Sequence, residues 1–129
     1  MTGGQEISKK DEKKTGSYRS LVVWQKSFDL SFAIYCLTKD FPDEERYGLT
    51  SQMRRSAVSI PSNIAEGYGR GTKVSFHQFL RIAYGSATEL ETQLLLAGKL
   101  GYCGEGLEQE LLREVMKMIN TILSKGKDT

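Results

Sequence analysis

Residues 59–70, SIPSNIAEGYGR, combine the helical spacing of apolar side chains with a proline and a glycine-rich end. Ile60, Ile64 and Tyr68 recur at every fourth position, which is typical of one face of a helix. Pro61 interrupts this run, because proline lacks a backbone N–H and its ring clashes with the preceding turn. Either one helix passes through Pro61 or two helices meet there.

A single helix explains the stretch best. If Pro61 began a new helix, Ile60 would be its N-cap, and isoleucine is a poor capping residue. A start at Asn63 would leave about one turn before the glycines. We therefore predict one helix that is kinked at Pro61. The carbonyl of Ala57 loses its usual partner there, and we expect the hydroxyl of a nearby serine or a water molecule to replace it.

Helical spacing continues along the rest of the chain. Apolar residues recur at three- and four-residue steps, and no segment alternates with the two-residue period of a strand. Pro42 ends the first predicted helix, and the glycines around Tyr68 end the second. The predicted helices cover about residues 23–41, 45–68, 75–98 and 107–123. Four amphipathic helices with short links predict an all-α fold, an antiparallel up-down-up-down four-helix bundle.

The start of the third predicted helix carries a capping signature. Ser75 and Gln78 have the spacing of a capping box, and Val74 and Phe79 have that of a hydrophobic staple. We therefore expect Ser75 to be the N-cap of this helix.

The chain has 129 residues, which is the length of a single domain. Residues 1–20 have almost no apolar side chains and are predicted to form a disordered basic tail, followed by the bundle domain over residues 21–125. Composition favours a solvated leader over a nucleic-acid contact for this tail. No apolar run approaches the roughly 20 residues of a membrane helix, and no signal-peptide pattern begins the chain. We expect no membrane partner.

The cysteines and the histidine do not indicate a catalytic or metal site. Cys36 and Cys103 lie far apart and outside any C-x-x-C pair, which favours reduced thiols in a cytoplasmic protein over a disulfide or a metal site. His77 is the one histidine, so neither a histidine-based metal cluster nor a catalytic triad is expected. GYGRGT, residues 67–72, follows a helix and lacks the ending of a phosphate-binding loop. We predict no enzymatic activity, no metal and no cofactor.

Positive charge is concentrated in the middle of the chain. Residues 46–81 carry six basic residues against Glu66 alone, a net charge of +5, whereas the whole chain has a net charge of +2. Such a segment favours an anionic partner such as RNA or DNA. The residues predicted to bind nucleic acid are Arg54, Arg55, Arg70, Lys73 and Arg81.

The second predicted helix has an uncharged face. From Ser56 to Ala65 it carries no charged residue, and small polar side chains follow steps of three and four. A helix that is small or apolar nearly all round is normally buried, so we favour burial against a second molecule. A solvated polar face and close packing inside one bundle are the alternatives. The residues of this helix predicted to form an oligomer interface are Ser56, Ser59, Pro61, Asn63, Glu66 and Gly67.

A second polar row lies on the third predicted helix, within YGSATELETQ at residues 84–93. Its residues assigned to the same interface are Gly85, Ser86, Glu89 and Glu91. Carboxylates two positions apart point to different sides of a helix, so an ion-pair role is favoured over acid–base catalysis. The two rows are expected to meet. Either carboxylate would then pair with Arg54, Arg70 or Arg81.

Three motifs resemble a known family, namely LVVWQKSFDL at residues 21–30, FPDEERYGLTSQMRRSAVSIPSNIAEGYGR at 41–70 and FLRIAYGSATELETQL at 79–94. They are similar to the four-helix bundle proteins encoded in intervening sequences of bacterial 23S ribosomal RNA genes, over about residues 21–125. That family resembles in fold the accessory variability proteins of diversity-generating retroelements. The positions that match the family pattern are Arg55, Ser59, Pro61, Asn63, Glu66, Gly67, Arg70, Gly85, Ser86, Glu89 and Glu91.

The resemblance implies a protomer that assembles into a ring or barrel, commonly a pentamer. In the retroelement relatives a basic surface binds nucleic acid and the protein is a partner of a reverse transcriptase, so it implies both partners here. Two functions stay open. The charged segment favours a homo-oligomeric accessory protein that binds nucleic acid, with RNA as the favoured ligand. The uncharged face favours an oligomeric scaffold that binds none, and an enzyme is a distant third.

Overall fold

The computed structural model describes residues 16–127, with side chains through residue 125. This part of the chain contains four α-helices and no strands, which confirms the all-α fold. The helices are α1 Val22–Thr38, α2 Leu49–Gly69, α3 Lys73–Lys99 and α4 Leu107–Lys127.

Each helix packs against two others, so that the four helices form a closed cycle. α1 contacts α2 and α4, and α3 contacts the same two helices. Among the described residues, α1 makes no close contact with α3 and α2 makes none with α4. Ser59 of α2 meets Ser86 of α3, and Gly67 meets Phe79, so the contacts run in opposite sequence directions, as expected for antiparallel neighbours. α1 and α3 therefore lie diagonally opposite each other.

The core consists of the apolar stripes that the sequence predicts. Burying one large aliphatic side chain contributes roughly 1.5–3 kcal/mol to stability, so these stripes provide most of the driving force for folding. The large apolar side chains that are fully buried are Leu30, Ile34, Met53, Ile60, Ile64, Leu80, Leu90, Val115 and Ile119.

α2 continues without interruption through Pro61. The carbonyl of Ala57, which Pro61 leaves without its helical partner, accepts a hydrogen bond from Ser31 Oγ of α1 at 2.8 Å. The same hydroxyl lies farther, at 3.1 Å, from the carbonyl of Ser27. The predicted replacement by a serine hydroxyl is therefore confirmed, and it links α2 to α1. The kink at Pro61 stays a prediction.

α3 begins two residues before the predicted N-cap. Thr72 is the N-cap, and its hydroxyl accepts a hydrogen bond from the backbone N–H of Ser75 at 3.2 Å. The prediction of Ser75 as the cap is wrong, because Thr72 is itself a good capping residue three positions earlier. Val74 is 70% exposed, so the predicted staple with Phe79 does not form either.

The link between α1 and α2 is longer than the sequence predicts. α1 ends at Thr38, four residues before Pro42, and a short 3₁₀-helix, Asp43–Glu45, precedes α2. The carboxylate of Glu45 accepts a hydrogen bond from the backbone N–H of Leu49 at 3.1 Å and one from the phenol of Tyr102 at 2.9 Å. Glu45 therefore caps α2 from outside the helix.

Helical structure also extends into the predicted tail. Tyr18–Ser20, within the predicted tail, form a 3₁₀-helix, and the ring of Tyr18 packs edge-on against Trp24 at 5.1 Å between centroids. Residues 1–15, which hold the rest of the predicted tail, lie outside the described part of the chain.

Candidate nucleic-acid interface

One surface at the start of α2 gathers arginine and tyrosine side chains. Arg46 and Tyr47 lie in the link before α2, Arg54 and Arg55 lie in its second turn, and Tyr35 comes from α1. All five line one cavity of about 610 Å³, which we call the Arg–Tyr recess. Tyr47 is 89% exposed, so its ring is almost entirely available to a ligand.

Arg54 is held in place by uncharged groups. Its Nε donates a hydrogen bond to Thr38 Oγ1 at 2.8 Å, and its Nη2 donates one to the Tyr35 carbonyl at 3.3 Å. The guanidinium also lies over the Tyr35 ring, 4.5 Å from its centroid. Because a guanidinium has five N–H donors and none of these contacts neutralises it, Arg54 keeps both charge and donors for an anion.

Like Arg54, the other two arginines of the recess, Arg46 and Arg55, have no carboxylate partner among the described residues. Within residues 16–127, none of Arg46, Arg54 and Arg55 takes part in an ion pair. Ion pairs form elsewhere, at N–O distances of 3.0–3.4 Å, between Arg70 and Glu66, Arg113 and Glu105, and Lys26 and Glu114. The recess is therefore a basic surface whose charge is not compensated by the described residues.

The remaining residues predicted to bind nucleic acid lie at the other end of α2. Arg70 is separated from Arg54 by about 24 Å along the helix, at about 1.5 Å per residue. Arg70 pairs with Glu66 at 3.0 Å and lies over the Phe79 ring. Lys73 begins α3 and Arg81 is exposed on it. The structure therefore brings together Arg54 and Arg55 of the predicted set and separates them from the other three.

The two polar rows meet inside the chain, as predicted. The hydroxyls of Ser59 and Ser86 lie 2.8 Å apart, and Asn63 Nδ2 donates a hydrogen bond to the Ser59 carbonyl at 2.8 Å. A Cβ on Gly67 would lie 2.5 Å from the Cβ of Phe79, so only glycine permits this approach of α3. Ser56, Pro61 and Gly67 are buried in the same protomer.

Burial of α2 on two sides does not require a second molecule. α1 covers one side of α2 and α3 covers the other. Close packing inside one bundle, one of the two alternatives to burial against a second molecule, therefore accounts for the small residues. The role of this set in an oligomer interface stays a prediction.

The ion pairs expected between the two rows are not formed by the described residues. Glu89 and Glu91 are exposed, and neither pairs with Arg54, Arg70 or Arg81 in that part of the chain. Arg54 has its uncharged partners, and Arg70 reaches Glu66 one turn away on its own helix. Arg54 and Arg70 therefore have partners nearer than α3, and Arg81 lies at least eight residues from both carboxylates on α3 itself, which is why the predicted pairing is wrong.

The described residues contain no group of three or more side chains suited to a metal ion. Burial raises the pKa of the Cys103 thiol, and the nearby carboxylate of Glu108 raises it further, so this cysteine is a weak nucleophile. Cys36 is exposed and free. No described helix combines the length and apolarity needed to cross a bilayer.

Sequence reasoning missed two aromatic residues of the recess and one of its arginines. Arg46 belongs to the predicted charged segment but to no predicted site, and Tyr47 follows no helical pattern. The signal was available, since a basic residue and a tyrosine are adjacent just before Gly48. The helical period places Tyr35 beside the α1 core stripe, whereas the structure leaves it 42% exposed.

The family described as 23S rRNA-intervening sequence protein matches residues 19–124. The chain belongs to this family. A crystal structure of a protein of unknown function from the S23 ribosomal protein family of Bacteroides thetaiotaomicron is 25% identical, with a TM-score of 0.68, over 79% of this chain and 98% of that one. No curated protein matches the chain. The predicted family is therefore confirmed, and it supplies no activity for the recess.

Proposed function

We propose that this protein is a non-enzymatic, homo-oligomeric accessory protein that binds nucleic acid, with RNA as its principal ligand. The observation that carries the proposal is the group of three arginines, Arg46, Arg54 and Arg55, on one surface without an ion pair among the described residues. Uncompensated arginines attract phosphates, and each contact that forms releases counterions from the nucleic acid.

A second basic group, formed by Lys73 and Arg81, adds to this surface in an assembly. Lys73 begins α3 beside the far end of α2, and Arg81 lies about two turns further along α3, so one protomer presents positive charge at a second place outside the recess. Repetition of both groups around an oligomer gives many weak phosphate contacts. Such binding depends strongly on salt and little on sequence.

Assembly is supported by exposed apolar stripes on two diagonally opposite helices. On α1 the exposed residues Phe28, Phe32 and Tyr35 recur at steps of four and three. On α3 the exposed residues Ile82 and Leu96 share one face with Leu100, which directly follows the helix, and the exposed Gly85 and Glu89 interrupt this stripe. Exposed apolar side chains on one face favour an interaction site. Two different faces on opposite corners suit the head-to-tail contacts from which rings are built.

The pentameric state and a reverse-transcriptase partner follow from the family resemblance alone, and both stay predictions. The proposal includes a cytoplasmic location, which the free thiols of Cys36 and Cys103 favour. Neither the family description nor the similar crystal structure names an enzymatic activity.

The test is binding of a fluorescent single-stranded RNA, measured by anisotropy at two salt concentrations. We expect affinity to fall with salt, with a log–log slope of roughly −0.7 per phosphate contacted. Arg55→Glu should weaken binding about tenfold or more. Lys117→Glu makes the same change of charge on α4, which does not contact α2, and should leave affinity within about twofold.

A scaffold that binds no nucleic acid is the second candidate, because the apolar stripes alone would serve it. Lack of RNA binding by the parent protein at low salt, in a sample that still assembles, would establish the scaffold. Ser59→Glu is not a suitable probe of assembly, since Ser59 is bonded to Ser86 within the chain.

A further inference from the structure

The Arg–Tyr recess continues into a smaller cavity of about 230 Å³ at the end of α1. The two cavities share Arg46, Thr50 and Arg54, so these three residues lie at their boundary. The smaller cavity adds Lys39 and Asp43 to the charged lining. Together the two linings carry four cationic side chains against one carboxylate, a formal charge of +3.

The larger cavity has the lining of a site for a planar organic group. It is an open groove of about 610 Å³, so a flat group can lie against its wall while staying accessible to solvent. Tyr47 presents an almost fully exposed ring, and Tyr35 is partly exposed beneath the Arg54 guanidinium. Stacking on exposed aromatic rings is how proteins bind unpaired bases, since every base has a flat apolar face.

The smaller cavity is lined by three cationic side chains against the single carboxylate of Asp43, a net positive lining that favours a phosphate. Arg54 is fixed at its edge by Thr38, whose hydroxyl itself donates to the Ile34 carbonyl at 2.8 Å. Arg46 and Lys39 line the same space. A phosphate there would meet donors from up to three cationic groups, one of which is already held in position.

We infer that the two cavities together bind one unpaired nucleotide of a single-stranded nucleic acid. Its base stacks on Tyr47 in the larger cavity, and its phosphate lies between Arg46 and Arg54 in the smaller one. A duplex does not satisfy this arrangement, because the faces of its bases are stacked on one another and only its phosphates, sugars and base edges are exposed. This inference rests on the proposed function and specifies the form of the ligand.

The experiment uses the full chain. It compares binding of a fluorescent single-stranded RNA homopolymer of 20 nucleotides with binding of an RNA duplex of equal length. The variants are Tyr47→Ala, Tyr47→Phe and Arg46→Gln, with Lys117→Gln on α4 as the matched loss of one charge. Light scattering checks that each variant assembles as the parent does. This control is needed because the recess adjoins the apolar stripe of α1, with Tyr35 belonging to both.

We expect the parent to prefer the single strand by at least tenfold. Tyr47→Ala should weaken single-strand binding about tenfold and leave duplex binding unchanged, whereas Tyr47→Phe should retain the parent affinity, because stacking needs the ring and not the hydroxyl. Arg46→Gln should weaken single-strand binding and reduce the magnitude of its salt slope by about one phosphate contact. Lys117→Gln should change neither the affinity for the single strand nor its salt slope.

The outcomes separate this inference from the proposed function. If the parent binds RNA but Tyr47→Ala and Arg46→Gln bind as it does, the nucleotide site is wrong and RNA binding stands. If the parent binds single strand and duplex equally, the inference also fails. Failure of the parent to bind RNA at low salt overturns both. Polyglutamate that binds with the same affinity and the same dependence on Tyr47 would assign the recess to an acidic protein instead.

Discussion

Ser31 and Pro61 are coupled across two helices. Ser31→Ala would leave the buried Ala57 carbonyl without a partner, and we expect it to lower the free energy of unfolding by about 1–3 kcal/mol. In a Pro61→Ala background the backbone N–H at position 61 is restored and bonds this carbonyl within α2. The same Ser31→Ala change should therefore cost less there.

Urea denaturation of the parent, the two single variants and the double variant measures this coupling. Ser62→Ala, at an exposed position one residue from Pro61, is the control and should have little effect. An equal cost of Ser31→Ala in both backgrounds would show that Ser31 and Pro61 do not share the Ala57 carbonyl.

Gly67 is required by the close approach of α3. Gly67→Ala would place its Cβ 2.5 Å from the Phe79 Cβ, and overpacking of this kind typically costs about 1–3 kcal/mol. The gain in helix propensity of about 1 kcal/mol does not offset a clash with a Cβ, which cannot rotate away. We expect a net loss of stability in urea denaturation. At Gly69 an added Cβ would meet no atom within 4 Å, so Gly69→Ala should be neutral or stabilising. If Gly67→Ala were stabilising as well, this explanation would be contradicted.

At the scale of the element, Thr72 determines where α3 begins. Thr72→Ala removes the hydroxyl that accepts from the Ser75 N–H, and loss of such a cap costs about 1 kcal/mol. Ser75→Ala should have a smaller effect, because it is the backbone of Ser75 that takes part in the cap. Chemical denaturation measures both, and hydrogen exchange in the first turn of α3 should rise only in Thr72→Ala. A larger effect of Ser75→Ala would restore Ser75 as the cap.

The bodies of the helices and several of their ends could be predicted from the sequence, whereas the end of α1 and the starts of α2 and α3 could not. Apolar periodicity predicted the four helices and their buried stripes, because most of the stability of a helix in a folded protein comes from packing its apolar face. It did not predict which of two neighbouring hydroxyl residues caps α3, since Thr72 and Ser75 both suit that position. The role of Gly67 was also missed. Its sequence context indicates a helix end, whereas its contact with Phe79 depends on the register between α2 and α3.

The candidate site was predicted only in part for a similar reason. Charge counting identified the basic segment, but it cannot say which arginines are paired. Arg70 is paired within its own helix and Arg54 is held by uncharged groups of α1. The link before α2 then adds Arg46 and Tyr47 to the recess, and its path does not follow from a helical period.

At the scale of the whole molecule, the Arg–Tyr recess lies beside the α1 stripe, so the proposed binding and the proposed assembly would affect each other. Tyr35 belongs to both, so a neighbouring protomer that covers Phe32 would lie next to the recess. The proposed assembly would repeat the recess on every protomer. Phosphate contacts on one strand would add up around such an oligomer, as in multivalent binding.

Mixing two variants tests whether assembly is head-to-tail through α1 and α3. Phe32, 70% exposed, lies on the α1 stripe and Leu96, 49% exposed, on the α3 stripe. Phe32→Glu and Leu96→Glu each place a charge on one stripe, and we expect each variant alone to be monomeric by light scattering, because every contact then includes one altered face. A mixture retains one intact contact, between the α1 stripe of Leu96→Glu and the α3 stripe of Phe32→Glu. It should therefore form a one-to-one dimer and no ring. A dimer of Phe32→Glu alone would instead show that the α3 stripes pair with each other.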